Sequence, residues 1–488
     1  MILFESMTEN WSNFSLGSGS RALDLHVDLQ GGRYRVRLED SIRDAIRSGR
    51  LIGGTRMPSS RSLSHDLGIA RNTVVAAYDQ LLAEGWLSAR QGSGTWVAEG
   101  RAFDSVDGET TETRRHNDLV YDMSPGTPDL SGFPRAAWMA ATKRAITHAT
   151  DTRLGYGDPR GTQELRMALA EYLGRTRGVV ASEDRVVVCS GAVQGLFLLI
   201  RTLAGFGVDT VAVESACFDI SRRQIDRAGM DLIPLSVDHD GVRVDQLIRS
   251  RAQLVLLTPA HQFPLGVPLS AERRRQVIQW AQDTGGMIIE DDYDGEFRYD
   301  RRPIGALQGL APDHVIYQGS ASKALAPGLR IGWMVLPEPI VKAVTAQRLM
   351  VDLHTGVFEQ LALAEFIRAG AYDRHIRKAR LRYRDRRDRL AGMLDEHAPH
   401  VRISGIAAGL HALLTLPGDL TTEGATLTRA RDAGLSLAGL SRFRCQPKDS
   451  DQAGLVVGYG ATPSHSFPAA LDLLRRILQS RQAGGPLK

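Results

Sequence analysis

Leu38, Ile42, Ala45 and Ile46 recur three or four positions apart, the spacing that lines apolar side chains along one helix face, and Ser48-Gly49 marks the stop. Gly53-Gly54 predicts a turn; Pro58-Ser59-Ser60 then opens a short helix carrying Leu63 and Leu67, which Gly68 terminates. A third helix is predicted over 70–83, with Val74, Tyr78, Leu81 and Leu82 on its apolar face and Arg71, Asn72 and Thr73 on its exposed first turn. Trp86 to Arg90 and Thr95 to Val97 read as strands joined through Gln91-Gly92-Ser93-Gly94. From about residue 120 the pattern changes. β-Branched runs at Val186 to Cys189, Thr210 to Glu214, Leu254 to Thr258, Met287 to Glu290 and Val315 to Gln318 alternate with amphipathic stretches. That alternation predicts an α/β fold, a mostly parallel sheet with helices on both faces and ligands at the carboxyl ends of its strands.

Three helices followed by a hairpin predict a winged helix-turn-helix over 24–98, whose third helix would enter the major groove of double-stranded DNA while the wing follows the backbone. Charge agrees. The chain's net charge is +4, and residues 33–97 hold ten Arg against six Asp or Glu, so the whole excess lies there. Arg71 and Asn72 sit where base edges are read, while Arg61, Thr73, Arg90 and Ser93 sit where phosphates are met; Thr73 could equally serve as a helix cap. Residues 99–119 are expected to be a linker, because 101–118 contain five acids, three arginines and few apolar side chains. The remainder, 120–488, would be one large domain.

Chemistry gathers at the predicted strand ends. Ser320-Ala321-Ser322-Lys323 follows the last apolar run, and Arg330 lies seven residues beyond the lysine. Two hydroxyls, an amine and a fork-shaped cation are the parts needed to bind an aldehyde covalently beside a phosphate, which is pyridoxal phosphate chemistry. Ser190-Gly191-Ala192 opens a helix whose backbone N–H groups can hold a phosphate. In Glu290-Asp291-Asp292-Tyr293-Asp294 an acid can pair with a protonated pyridine nitrogen and a phenol can bond a ring oxygen. Ser320 to Lys323 also fits the S-x-x-K of penicillin-binding proteins, but the chain has neither S-D-N nor K-T-G.

Pro58-Ser59-Ser60-Arg61-Ser62-Leu63, Arg71-Asn72-Thr73-Val74, Leu81-Leu82-Ala83-Glu84-Gly85 and Gly92-Ser93-Gly94-Thr95 resemble GntR-type regulators. Residues 154–161, 258–266 and 290–299, with the glycine turn, aspartate, lysine and arginine in that order, resemble the fold-type I aminotransferases. Together they resemble the MocR subfamily of GntR regulators, PdxR-like members among them. The resemblance implies that Lys323 holds the aldehyde of pyridoxal 5'-phosphate, that Asp291 faces its ring nitrogen and Tyr293 its ring oxygen, and that Phe218 stacks on the ring. It implies that Gly191, Ala192, Ser320, Ser322 and Arg330 hold the phosphate. Tyr156 would reach the phosphate of a neighbouring subunit, which implies a homodimer.

Two departures from the family pattern matter. Ala216-Cys217 stands where Pro-Gly often precedes the stacking aromatic, and Val456 stands where aminotransferases place the arginine that grips a substrate carboxylate. Without that cation an amino-acid carboxylate would lack its strongest partner; members that sense pyridoxal phosphate itself resemble this pattern, so the resemblance implies pyridoxal phosphate as effector. An amine or amino-acid effector, or a working aminotransferase with an appended DNA-binding module, remain the alternatives. Cys189, Cys217 and Cys445 have no CxxC spacing, which argues against a disulfide framework or a metal site. No apolar run is long enough to span a bilayer and the start shows no export signal, so the expected compartment is the cytoplasm.

Overall fold

Ser59 closes the first turn of the helix Ser60–Asp66 by accepting the Ser62 amide at 3.1 Å, and Gly68, at φ +62°, turns the chain into the helix Arg71–Ala83. These two helices and Tyr34–Arg47 bury Leu38, Ile42, Leu63, Val74, Tyr78 and Leu81 together. The Tyr78 hydroxyl donates to the Pro58 carbonyl at 3.0 Å, and Arg43 pairs with Glu84 at 2.8 Å, tying the first helix to the end of the third. The hairpin Leu87–Arg90 and Gly94–Val97 is antiparallel. Residues 54–57 extend it unexpectedly: the Gly54 amide donates to Val97 at 2.9 Å and the Met57 amide to Thr95 at 2.8 Å. That third, irregular edge was not legible in the glycine-rich sequence.

This computed structural model describes residues 34–47, 50–90, 94–98, 120–299 and 304–479. The expected helix stop at Ser48-Gly49, the wing tip with Ser93, the linker 99–119 and the side chain of Arg90 lie outside the described residues. The chain divides into two units, 1–114 and 115–488.

In the larger unit, among the described residues, seven strands form one sheet in the order Val186–Cys189, Gly332–Val335, Val315–Ser320, Met287–Asp291, Leu254–Leu257, Thr210–Glu214 and Asp231–Leu235. All are parallel except Gly332–Val335, which runs against both neighbours. The first, third, fourth, fifth and sixth in that order are the β-branched runs of the sequence. Asp231–Leu235 contains Pro234, tolerable because the strand is at the sheet edge. A second, antiparallel sheet of Arg402–Ser404, His411–Thr415, Gly454–Gly458 and Ala438–Gly439 lies toward the carboxyl terminus.

The central strand Met287–Asp291 delivers its acids into the protein, not to solvent. Glu290 accepts the amides of Leu307 at 2.8 Å and Gln308 at 3.0 Å. Asp292 takes a bidentate pair from Arg177 at 2.6 and 2.9 Å and a hydroxyl from Tyr317 at 2.7 Å, with both members of the ion pair buried. Removing one partner of such a pair strands the other charge out of water. Arg177→Ala should therefore lower the unfolding free energy of the larger unit by about 3–5 kcal/mol, measured by denaturant titration; a loss under about 1 kcal/mol would show that Asp292 finds another partner.

Candidate functional site

Four segments meet around Lys323. The strand Val315–Ser320 ends in Ser320, whose hydroxyl accepts the Ser322 amide at 3.3 Å and so caps the short helix Ala321–Ala324 carrying Lys323. The half-buried ammonium donates to the carbonyl of Gly126, a turn residue whose φ of +107° favours glycine. Burial lowers the Lys323 pKa against the opposing charges of Asp291 and Asp294. Asp291 ends the adjoining parallel strand. Its Oδ1 is buried without a hydrogen-bond partner. Burial first, then the charge of Asp292, push its pKa up to about 7, while Lys323 opposes the shift.

On the other side of the lysine lies an anion-shaped turn. Gly191, at φ +89°, precedes the helix Ala192–Gly205, and a Cβ on it would come within 3.0 Å of the Arg330 guanidinium. A Cβ on Gly332 would meet the Gly191 carbonyl carbon at 2.7 Å. The strand Gly332–Val335 and the Arg330 side chain therefore approach the turn this closely because both residues are glycine. Arg330 itself holds a left-handed backbone, φ +50°, and donates to the Ser190 carbonyl at 2.6 Å. A non-glycine residue kept in that region stores strain, and here it aims an exposed cation at the helix start. Gly191, Ala192, Ser320, Ser322, Lys323, Arg330 and Asp291 are thus brought together.

Tyr293 follows the strand end. Its hydroxyl donates to the His261 carbonyl at 3.0 Å and lies 3.1 Å from His261 Nδ1, which is 2.9 Å from Asp294 Oδ2. The buried Asp294 and His261 therefore fix the phenol's direction. Neither had been given a role from sequence, since a lone histidine in an apolar segment is usually a core residue. His411, first residue of its strand, packs 5.0 Å from the His261 ring with Nε2 buried and unpartnered, and burial holds its pKa well below the ordinary value. Two residues further along the same strand, Leu413 continues the wall: it pairs with Val456, which lies in an apolar cluster with Leu440, Phe443 and Phe263.

Phe218, just before the helix Asp219–Arg227, is 38% exposed and meets Phe263 edge-on at 6.2 Å. Tyr156 stands apart, 89% exposed, with His354 its ring neighbour. In the smaller unit Arg61, Arg71 and Asn72 are exposed, the latter two opening the helix Arg71–Ala83. Thr73 is half-buried and does not cap that helix: Ala70 occupies the cap position, without a side-chain bond.

Chemically, the larger site offers an amine of lowered pKa, a carboxylate oxygen lacking a donor, an oriented phenol and a crowded glycine turn with an arginine. An unpartnered carboxylate fits a protonated ring nitrogen, and the turn with Arg330 fits a phosphate, so pyridoxal phosphate suits both ends.

Residues 122–419 match the aminotransferase class I and II family, and residues 35–97 match the bacterial regulatory proteins of the gntR family. The chain is 32% identical to the probable rhizopine catabolism regulatory protein MocR of Rhizobium meliloti, over 95% of this chain and 97% of that one. It is 33% identical to the HTH-type pyridoxine biosynthesis transcriptional regulator PdxR of Corynebacterium glutamicum, over 87% of this chain and 92% of that one. Among solved structures, a kynurenine aminotransferase of Pyrococcus horikoshii aligns with TM-score 0.67 and 25% identity, covering 75% of this chain and 91% of that one. A multiple substrate aminotransferase from Thermococcus profundus aligns with TM-score 0.68 and 24% identity, covering 77% and 96%. The last two matches establish the fold of the larger unit.

The raised pKa of Asp291 has a thermodynamic signature in the cofactor-free chain. Its ordinary value is 3.8 and the folded value about 7, so the folded form keeps a proton that the unfolded chain releases. The stability this proton contributes is full below about pH 4 and is lost as pH rises through about 7. Asp291→Asn removes the dependence: relative to wild type, the variant should gain roughly 2–4 kcal/mol between pH 4 and pH 8. Urea unfolding of the protein without added ligand across that range measures it, and parallel pH curves for the two proteins would contradict it.

Proposed function

The chain belongs to the MocR subfamily of GntR-type transcriptional regulators, and from that premise we propose that it binds pyridoxal 5'-phosphate and couples that binding to the way a homodimer presents two winged helices to its operator. The observation that carries the reading is that Lys323, an amine of lowered pKa, feels the charge of Asp291, whose buried carboxylate oxygen lacks a donor, within a chain that also carries a DNA-binding domain. Bound there, pyridoxal phosphate supplies an aldehyde that condenses reversibly with amines and a ring that withdraws electrons.

The chain's own residues do the rest. Lys323 is the covalent anchor. Asp291, charged once a ring proton faces it, holds that proton on the nitrogen. Tyr293, oriented by His261 and Asp294, bonds the ring oxygen, and Phe218 covers the ring. Gly191, Ala192, Ser320, Ser322 and Arg330 take the phosphate. The exposure of Tyr156 supports its reaching into a partner's site. Arg71 and Asn72 read bases; Arg61, Thr73, Arg90 and Ser93 contact the backbone. A role on DNA places the protein in the cytoplasm, and no helix among the described residues is long and apolar enough to cross a membrane.

Val456 and its apolar neighbours favour an effector without a carboxylate at that wall, since a buried carboxylate there would meet Leu413 and Phe443 in place of a cation. This supports pyridoxal phosphate itself as effector and control of vitamin B6 metabolism as the output, matching what the name of the Corynebacterium glutamicum relative says of that protein. The second reading, an amine sensed through partial reaction, is favoured by the lowered pKa of Lys323 and the free Nε2 of His411.

A DNA-shift assay on the chain's own upstream region, with and without pyridoxal phosphate, tests the proposal: affinity should change by about tenfold or more, within the usual range of coupling energies. Lys323→Ala should lose both the visible absorption band and that response, with circular dichroism checking its fold. A response that survives the substitution refutes covalent sensing, and steady transamination of several amino acids would favour an enzyme.

The DNA face is tested separately. Arg71→Ala should cost about 1–3 kcal/mol of operator affinity and relax specificity, whereas Arg61→Ala should weaken binding evenly and reduce the salt slope by about one. Titrations at several salt concentrations distinguish the two roles.

A further inference from the structure

Cys217 and Cys445 come from distant parts of the chain and lie side by side. An isolated antiparallel bridge pairs Ala216 with Arg444, closed by the Cys217 amide donating to Phe443 at 2.9 Å and the Cys445 amide donating to Ser215 at 2.8 Å. Cys217 stands opposite Phe443 and Cys445 opposite Ser215, so both side chains fall on one face of the bridge as diagonal neighbours, and the Cys445 thiol donates to the Glu214 carbonyl at 3.5 Å. They differ in setting: Cys217 is buried and Cys445 half-buried.

A guanidinium stands over the pair. Arg222, on the helix that starts just after Phe218, donates through its two terminal nitrogens to the carbonyls of Arg444 and Arg442, at 2.8 Å for the latter. Its Nε is buried without an acceptor. A thiolate on Cys445 would meet that donor; the neighbouring Cys217 thiol first, then Arg222, hold the Cys445 thiol below its ordinary value against burial, whereas Cys217 is pushed up. This is the arrangement of a nucleophilic thiol beside a resolving one. Cys189, fully buried and pushed up to about 12, is an internal control.

We propose that Cys217 and Cys445 are a peroxide-reactive pair that closes to a disulfide, locking the segment that carries Phe218 to the segment that carries Phe443. The Cys445 thiolate attacks one oxygen of hydrogen peroxide; the O–O bond breaks and the departing hydroxide takes a proton to become water. The sulfenic acid so formed is neutral, which removes the charge that held the Cys217 proton in place. The Cys217 sulfur then attacks the Cys445 sulfur, the S–O bond breaks, and hydroxide leaves with the Cys217 proton as a second water. Both sulfurs are oxidised and peroxide is reduced.

The position gives the bond a consequence. Phe218 meets Phe263 edge-on, and Phe263 meets Phe443 at 5.0 Å, so the disulfide would fix both ends of an aromatic row on the site's wall. Formation of the bond stands on the cysteine geometry alone; its effect on the cofactor rests on the proposed role of Phe218.

Full-length protein is treated with hydrogen peroxide, alkylated, and mapped by mass spectrometry without reduction. The expected product is an intramolecular Cys217–Cys445 link reversed by dithiothreitol, with Cys189 left as a thiol. Cys217→Ser should leave Cys445 as a sulfenic acid trapped by dimedone, and Arg222→Gln should slow its oxidation by about tenfold. A link through Cys189, a link between chains, or direct over-oxidation of Cys445 in wild type overturns the proposal. Retention of pyridoxal phosphate through gel filtration should differ at least severalfold between the linked protein and Cys445→Ser. Equal retention overturns the connection to Phe218, and no retention by either protein instead overturns the cofactor reading.

Discussion

The larger unit is organised by a cost: four consecutive or near-consecutive carboxylates leave one strand end for the interior, where each must find a cation or a donor. Glu290 takes two backbone amides, Asp292 takes Arg177 and the Tyr317 hydroxyl, and Asp294 takes His261. Asp291 alone keeps an oxygen without a partner. Desolvation of an unpaired carboxylate is expensive, and neutralisation by a proton is the cheapest escape, which is what its raised pKa records. A ligand bearing a positive ring nitrogen would relieve the same cost by binding. The vacancy in an otherwise satisfied network is what gives the site its chemical preference.

The other end of the site follows from backbone geometry. Gly191 must be a glycine because φ is positive and Arg330 is already there; Gly332 must be one because the antiparallel strand Gly332–Val335 passes against the same turn. Reversing that one strand lets the loop after Lys323 return across the sheet and bring Arg330 back to Ser190. The lysine, its neighbouring hydroxyls and the arginine thus lie at one end of the sheet, between the end of one strand and the start of the next.

What was legible in sequence was local. The five β-branched runs became strands of the central sheet, and the helical spacing of Leu38, Ile42 and Leu81 became the core of the smaller unit. Asp231–Leu235 was hidden by its acid and proline, and Gly332–Val335 by its brevity beside a louder motif. Partnerships were not legible at all: nothing in the acidic run says that Arg177 will claim Asp292 and leave Asp291 free, or that His261 will hold Tyr293. Those facts are set by tertiary packing of segments far apart, as is the meeting of two cysteines whose spacing fits no motif. Thr73 shows the converse, since a side chain with good capping chemistry does not cap when the chain enters the helix at Ala70.

The smaller unit buries Leu38, Val74, Leu81, Trp86 and Val97 against one another, a core built from its own residues. Occupancy at Lys323 therefore has no need to fold or unfold the DNA-reading helix, and a ligand can shift an equilibrium only by its differential affinity for the two states. If pyridoxal phosphate regulates DNA binding, the states it distinguishes must differ around the cofactor and, through the assembly, in the spacing or orientation of two recognition helices. Operators with two half-sites are read by such spacing. If the exposed Tyr156 completes a neighbour's phosphate site, as proposed, cofactor affinity and subunit arrangement become one equilibrium, reciprocal by thermodynamic necessity.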